Sequence, residues 1–151
     1  MINVALLGSG LFASGAYLPS LVANKSTTTL HTIWSRSQKS SDGLVAEAKK
    51  LGLLPAGQYG DEGMEAVLSN PDIDAVCLVL PITVQPELVL KALKAGKHVL
   101  SEKPLAKDVK GARELIAEYE RVYKPKGLIW RVAESELCTV SGLCDDLLNR
   151  C

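Results

Sequence analysis

The sequence predicts an α/β fold built on a doubly wound parallel sheet, and three observations lead there. Two nearly continuous apolar runs, at residues 2–7 and 74–80, read as strands buried on both faces. Stretches of strand character alternate with helical stretches across short loops, the pattern of parallel strands joined by crossover helices. The first apolar run ends in Gly8-Ser9-Gly10-Leu11-Phe12-Ala13 and leads straight into a helical stretch. That is strand, glycine turn, helix, in the order such a sheet needs at its first crossover.

The elements follow in order. Residues 13–23 read as the first helix, with Pro19 as a kink or early stop. Residues 29–34 (TLHTIW) are β-branched and aromatic, a second strand. Residues 38–51 form a second helix with Leu44, Val45, Ala48 and Leu51 on one face and Gly52 as its stop. Gln58-Tyr59 is a short third strand, and Asp61 is expected to cap a helix that turns Met64, Val67 and Leu68 inward. Asn70-Pro71-Asp72 is a turn before the fourth strand, which Pro81 ends. Pro86 suits a first helical turn, and that helix runs to Ala95 with Gly96 after it. Residues 98–101 are a fifth strand. Asp108 caps a long helix carrying Ala112, Leu115, Ile116, Tyr119, Val122 and Tyr123 at helical spacing. A Lys124-Pro125-Lys126-Gly127 turn precedes a sixth strand at 128–133. The two most apolar strands are expected at the centre.

Composition narrows the function classes. The chain has 151 residues, 47% of them hydrophobic, enough for one domain with a real core. Seventeen basic and seventeen acidic residues cancel, so charge recommends neither nucleic acid nor an anionic membrane as partner. Aromatic residues, at 5%, are too few for base-stacking platforms. No apolar run reaches membrane-spanning length, and Met1 leads into the first strand without a basic leader, so a cytoplasmic protein is expected. Cys77 reads as a buried thiol. Cys138, Cys144 and Cys151 match no zinc spacing, so neither metal nor disulfide is expected. His31 and His98 read as hydrogen-bonded strand residues, and Lys91, Lys94 and Lys97 as a solvated helix face.

Ligands of such sheets bind at the carboxyl ends of the strands, so chemistry is sought there. After the first strand, Gly8 permits a tight turn. Gly10 lets the backbone approach a pyrophosphate, and Ala13 permits close helix–strand packing. The N–H groups at Ser9, Leu11 and Phe12 then face the phosphates of a dinucleotide. The competing reading is an ordinary strand-to-helix turn. After the second strand comes Ser35-Arg36-Ser37, with no acid to take ribose hydroxyls. Hydroxyls and an Arg would hold a 2′-phosphate, so NADP(H) is expected over NAD(H), the second candidate. An exposed polar loop is the alternative. After the fourth strand, Leu80, Pro81 and Thr83 are expected to line the cofactor. After the fifth come Glu102, Lys103 and Pro104. Lys103 is placed to meet a substrate over the nicotinamide, where it would polarise a carbonyl or, if burial lowered its pKa, carry a proton; a solvated Lys before a turn is the other reading.

Asp72-Ile73-Asp74-Ala75-Val76, followed by Ala95-Gly96-Lys97-His98-Val99-Leu100-Ser101-Glu102-Lys103-Pro104, resembles the Gfo/Idh/MocA oxidoreductases, and with the N-terminal GSG turn the pairing is a specific signature. The resemblance covers residues 1–134, that family's NAD(P)-binding Rossmann domain, with a fungal flavour in SRS and LPITVQP. It implies hydride transfer between a nicotinamide cofactor and a sugar-like or cyclic alcohol or carbonyl, and a dimer or tetramer. It makes Lys103 the catalytic residue, near both nicotinamide and substrate. Glu102 and Pro104 would hold its loop, with a cis peptide before Pro104.

This sequence departs from the family in three places. Gln85 stands where the family usually has a His. Ser135, Glu136 and Leu137 follow Val132-Ala133-Glu134 where the family continues with an Asn, an aromatic and an Arg. The family's C-terminal α/β domain is expected to be missing, with 135–151 a divergent tail whose Leu143, Leu147 and Leu148 could form a short amphipathic turn. Such a chain is expected to bind cofactor with little turnover. A non-catalytic NADP-binding regulator or sensor, or an inactive truncated product, is the rival reading. A Rossmann methyltransferase leaves Glu102-Lys103-Pro104 unexplained.

Overall fold

A computed structural model describes residues 1–134. The readings made for Cys138, Cys144, Cys151, Leu143, Leu147 and Leu148 lie outside the described residues. Six parallel strands form one sheet: β1 (Ile2–Leu7), β2 (Thr28–Ser35), β3 (Ala56–Tyr59), β4 (Ala75–Leu78), β5 (His98–Glu102) and β6 (Trp130–Ala133). Their order is β3-β2-β1-β4-β5-β6, so the chain starts at the centre, winds one way to β3, then returns past β1 to β6. β1 and β4 are the two central strands, as their apolar runs require. The switch point, where dinucleotides bind in such sheets, lies between them.

Alternation along β1 divides the core. Val4 and Leu6 point to a layer with Leu18 and Leu21 of α1 (Leu18–Ala23) and Leu44 and Ala48 of α2 (Gln38–Lys50). Ala5 and Leu7 point to the other layer. There they meet Met64, Val67 and Leu68 of α3 (Gly60–Ser69), Val89 and Leu93 of α4 (Gln85–Lys94) and Leu115 of α5 (Val109–Glu118). Both faces are covered, which is why β1 carries almost no polar residue.

The ends of the helices follow from local chemistry. Ser37 caps α2, accepting a hydrogen bond from the Ser40 N–H at 3.3 Å, and Asp108 caps α5, accepting from the Gly111 N–H at 2.7 Å. Gly52 and Gly96 end α2 and α4 in the left-handed region, at φ +80° and +78°, where a side chain would be strained.

Several expectations need correction. The first helix is not uniform: a π-helical segment, Ala13–Tyr17, runs without a break into α1, and Pro19 lies just past that wide turn, where it neither stops the helix nor ends it before Ala23. Asp61 does not cap α3. That helix starts one residue earlier, at Gly60, leaving Asp61 in the first turn, where it complements the helix dipole. Leu51 and Ile116, assigned to inner helix faces, are exposed: Leu51 lies just past the end of α2, and only Leu115 of α5 is buried. The long helix changes to π form over Tyr119–Tyr123 and then to a 3₁₀ turn, Lys124–Lys126. Lys97 is buried rather than solvated, donating to the Asn70 and Ile73 carbonyls at 2.5 and 2.8 Å. Burial lowers its pKa, against the pull of Asp74 and Asp72.

Candidate functional site: a cleft at the carboxyl ends of the strands

The site begins at Gly8. Its N–H donates to the Trp34 carbonyl of β2 at 2.9 Å, while on the other side the Val79 N–H, just past β4, donates to the Leu7 carbonyl at 2.8 Å. Gly8 sits at φ +126°, and a Cβ there would lie 2.1 Å from the Val79 carbonyl oxygen. The turn can close only around a residue without a side chain. At Gly10 a Cβ would meet no atom within 4 Å. Glycine there leaves clear space beside the backbone, as the approach of a pyrophosphate requires. Ala13, fully buried, packs the start of the following helix onto the sheet.

A one-residue slip in the β1–β2 register, between Val4 and Ala5, brings Trp34 opposite Leu7. That places Ser35, Arg36 and Ser37 beside the glycine turn. The Ser9 hydroxyl donates to the Ser35 Oγ at 2.8 Å, tying the two strand ends together. Gly8, Ser9, Gly10, Ser35, Arg36, Ser37, Leu80 and Pro81 all line one cleft of about 550 Å³, with Ser40 and Val79. No carboxylate lines it among the described residues. Arg36, Leu80 and Pro81 also border an adjoining hollow of about 720 Å³, where Thr83 joins Trp34 and the first turn of α3. Its acids, Asp61, Glu65 and Glu87, come from α3 and α4 rather than from the end of β2.

The remaining predicted residues stand apart from this cleft. Leu11 (94% exposed) and Phe12 (56% exposed) stand at the helix start with their side chains largely in solvent and do not line the cleft. Lys103 is exposed and borders a third hollow of about 600 Å³, with Ile82, Leu105 and Val132. The peptide between Lys103 and Pro104 is cis. Glu102 is partly buried and accepts a hydrogen bond from the Tyr17 hydroxyl at 2.6 Å. Ser37 has a second task as the α2 cap, and Ser40, which sequence reasoning missed, joins it in the cleft. The signal was present: a Ser three residues into a helix capped by Ser. Both histidines are structural, His31 with the Thr32 hydroxyl and His98 accepting from the Ile129 N–H at 3.0 Å.

This geometry agrees with what the chain is similar to. The model of the Gfo/Idh/MocA oxidoreductase family, an NAD-binding Rossmann fold, matches residues 2–125. The chain belongs to the Gfo/Idh/MocA oxidoreductase family. A dehydrogenase of Fusarium mangiferae, FPY6, is 36% identical over 137 residues, covering 89% of this chain and 38% of the relative. A dTDP-3,4-didehydro-2,6-dideoxy-alpha-D-glucose 3-reductase of Actinomadura kijaniata is 33% identical over 131 residues, 85% of this chain and 35% of the relative. The crystal structure of KijD10, a 3-ketoreductase from Actinomadura kijaniata in complex with NADP and TDP-benzene, superposes with a TM-score of 0.69 at 33% identity, over 87% of this chain and 36% of that one. The chain thus spans little more than a third of the length of these relatives.

Within the Gfo/Idh/MocA frame, the departure at Gln85 acquires a place. Gln85 opens α4, is 2% exposed, and its Oε1 has no hydrogen-bond partner among the described residues. No helix of the described residues is long and apolar enough to cross a membrane.

Proposed function

We propose that this chain forms the NADP(H)-binding part of an oxidoreductase that moves hydride between the cofactor and a sugar-like or cyclic alcohol or carbonyl. The observation that carries the reading is the first cleft: a glycine turn and Ser35-Arg36-Ser37 share it, and no carboxylate lines it among the described residues. A 2′-phosphate is a dianion that a carboxylate would repel and a guanidinium holds through charge-assisted hydrogen bonds. Gly8, Ser9 and Gly10, with the backbone of Leu11 and Phe12, take the pyrophosphate; Ser35, Arg36 and Ser37 take the 2′-phosphate; Leu80, Pro81 and Thr83 cover the adenosine side. Glu102 and Lys103 stand at the nicotinamide end. The bound cofactor supplies the hydride. Lys103, exposed at the rim of its hollow, polarises the substrate oxygen. The similarity to a fungal dehydrogenase and to a 3-ketoreductase solved with NADP supports the reading.

Turnover also needs a substrate held against the cofactor, so binding is the property to test on the 151-residue chain. Titration with NADPH, followed by cofactor fluorescence and by quenching of tryptophan emission, is expected to saturate more tightly than titration with NADH. Arg36→Ala is expected to weaken NADPH about tenfold or more, the loss of a hydrogen bond to a charged group, and to leave NADH nearly unchanged. Tighter binding of NADH than NADPH would overturn the cofactor assignment. A folded chain that bound neither would overturn the function.

A further inference from the structure

Tyr17 is a residue that neither the glycine motif nor the Glu102-Lys103-Pro104 motif includes, yet it touches both regions. It closes the π-helical segment that follows the glycine turn, and wide turns of this kind recur at functional sites. Its ring is 5% exposed and stands edge-on to the Phe12 ring, with centroids 6.0 Å apart and planes at 70°. Its hydroxyl reaches across the sheet to Glu102 Oε1 at 2.6 Å, a short bond to a carboxylate. Glu102 is the last residue of β5, and Lys103 is the next. One side chain therefore spans from the turn that faces the cofactor phosphates to the strand end that launches Lys103. The bridge is a fixed one. Burial, with Cys77 close by and the Glu102 carboxylate as acceptor, raises the pKa of the Tyr17 hydroxyl far above its usual value, so it remains a donor at any working pH.

We infer that Tyr17 is a positioning residue: by holding the Glu102 carboxylate, it sets the direction in which β5 delivers Lys103 toward the cofactor. The inference rests on reading Lys103 as the group that meets nicotinamide and substrate. Tyr17 itself touches neither. A tyrosine that only filled the core would be replaceable by phenylalanine without consequence for Lys103. A positioning tyrosine would not, because the hydroxyl alone carries the bond.

The test uses the full chain, the Tyr17→Phe variant, and pulse labelling of amines read residue by residue by mass spectrometry, with thermal unfolding to show that each sample is folded. In the parent chain, saturating NADPH is expected to slow labelling of Lys103 about tenfold, an ordinary consequence of removing a group from reagent. In Tyr17→Phe that shielding is expected to fall to about twofold while NADPH affinity changes less than about threefold, because Tyr17 lines no part of the glycine-turn cleft. Without cofactor, Lys103 is expected to be labelled at a different rate in Tyr17→Phe, with the other lysines unchanged, because the Tyr17 bond no longer holds the end of β5. Glu102→Gln keeps an acceptor for Tyr17 and removes the charge; its effect in the Tyr17→Phe background is expected to be smaller than in the parent. Unchanged shielding and an unchanged cofactor-free labelling rate of Lys103 in folded Tyr17→Phe would overturn the inference. If the parent chain binds no NADPH, the cofactor reading fails, and the cofactor-free labelling rate of Lys103 still decides whether Tyr17 positions it. If Tyr17→Phe does not fold, Glu102→Ala removes the same bond from the other side and is read in the same way.

Discussion

The two ends of the carboxyl edge of this sheet are built differently. At the β1–β2 end, the glycine turn is wedged between Trp34 and Val79, Ser9 is bonded to Ser35, and the cleft has walls from β1, β2 and the segment after β4. At the β5–β6 end, Lys103 and Pro104 are exposed, and their hollow is bordered by Ile82, Leu105 and Val132. One end is a cleft walled on several sides; the other is a shallower face where apolar residues stand among Lys103, Lys107, Asp108 and Glu134. The phosphates of a cofactor need fixed donors at short range, which a single domain can supply from its own backbone. A substrate must be enclosed and dried, and that takes surface on more than one side. This chain spans little more than a third of the length of the relatives it matches.

The largest test of this contrast is Gly8→Ala. A methyl group 2.1 Å from the Val79 oxygen, on backbone at φ +126°, leaves no room for relaxation except by parting β1 from β4. We expect a loss of roughly 3 kcal/mol or more of stability, from backbone strain plus overpacking, visible as a lower denaturation midpoint in urea. A midpoint within experimental error of the parent would show that the wedge yields.

Gly10→Ala asks the complementary question. Its Cβ would meet nothing within 4 Å, so stability should change by no more than about 0.5 kcal/mol. NADPH binding should nevertheless fall about tenfold or more, since the methyl group occupies the space of the pyrophosphate. A variant that kept full affinity would place the phosphates elsewhere. The two glycines then separate one motif into a part that the fold needs and a part that the ligand needs.

The same division explains what was legible in the residues. Gly8, Gly52, Gly96 and Asp108 could be read because each answers a local question: a turn, a stop, a cap. β1 and β4 could be placed at the centre because apolar runs report burial directly. Tyr17 could not be assigned to Glu102, because 85 residues separate them and only the sheet order brings them together. Lys97 looks solvated by its spacing with Lys91 and Lys94. It is buried because the chain leaving α4 turns it toward the Asn70 and Ile73 carbonyls. Ile116 has helical spacing with Leu115, but α5 lays only a narrow stripe on the sheet. Periodicity says that a face exists; the packing partner decides how wide it is.

The smallest expected effect belongs to the open end. Asp108 caps α5 at the rim of the Lys103 hollow, and its carboxylate accepts from the Gly111 N–H at 2.7 Å. Asp108→Ala should cost about 1 kcal/mol, the usual value of a lost cap, seen as a small drop in the unfolding midpoint. NADPH affinity should stay where it is, because no residue of the glycine-turn cleft comes from α5. Faster labelling of Lys103 with unchanged NADPH affinity would mark the open end as loosely held and independently adjustable. A fall in NADPH affinity comparable to that of Gly10→Ala would break the comparison: the two ends would then act as one unit, with the Tyr17–Glu102 bond as the link that carries a disturbance at α5 back to the glycine turn.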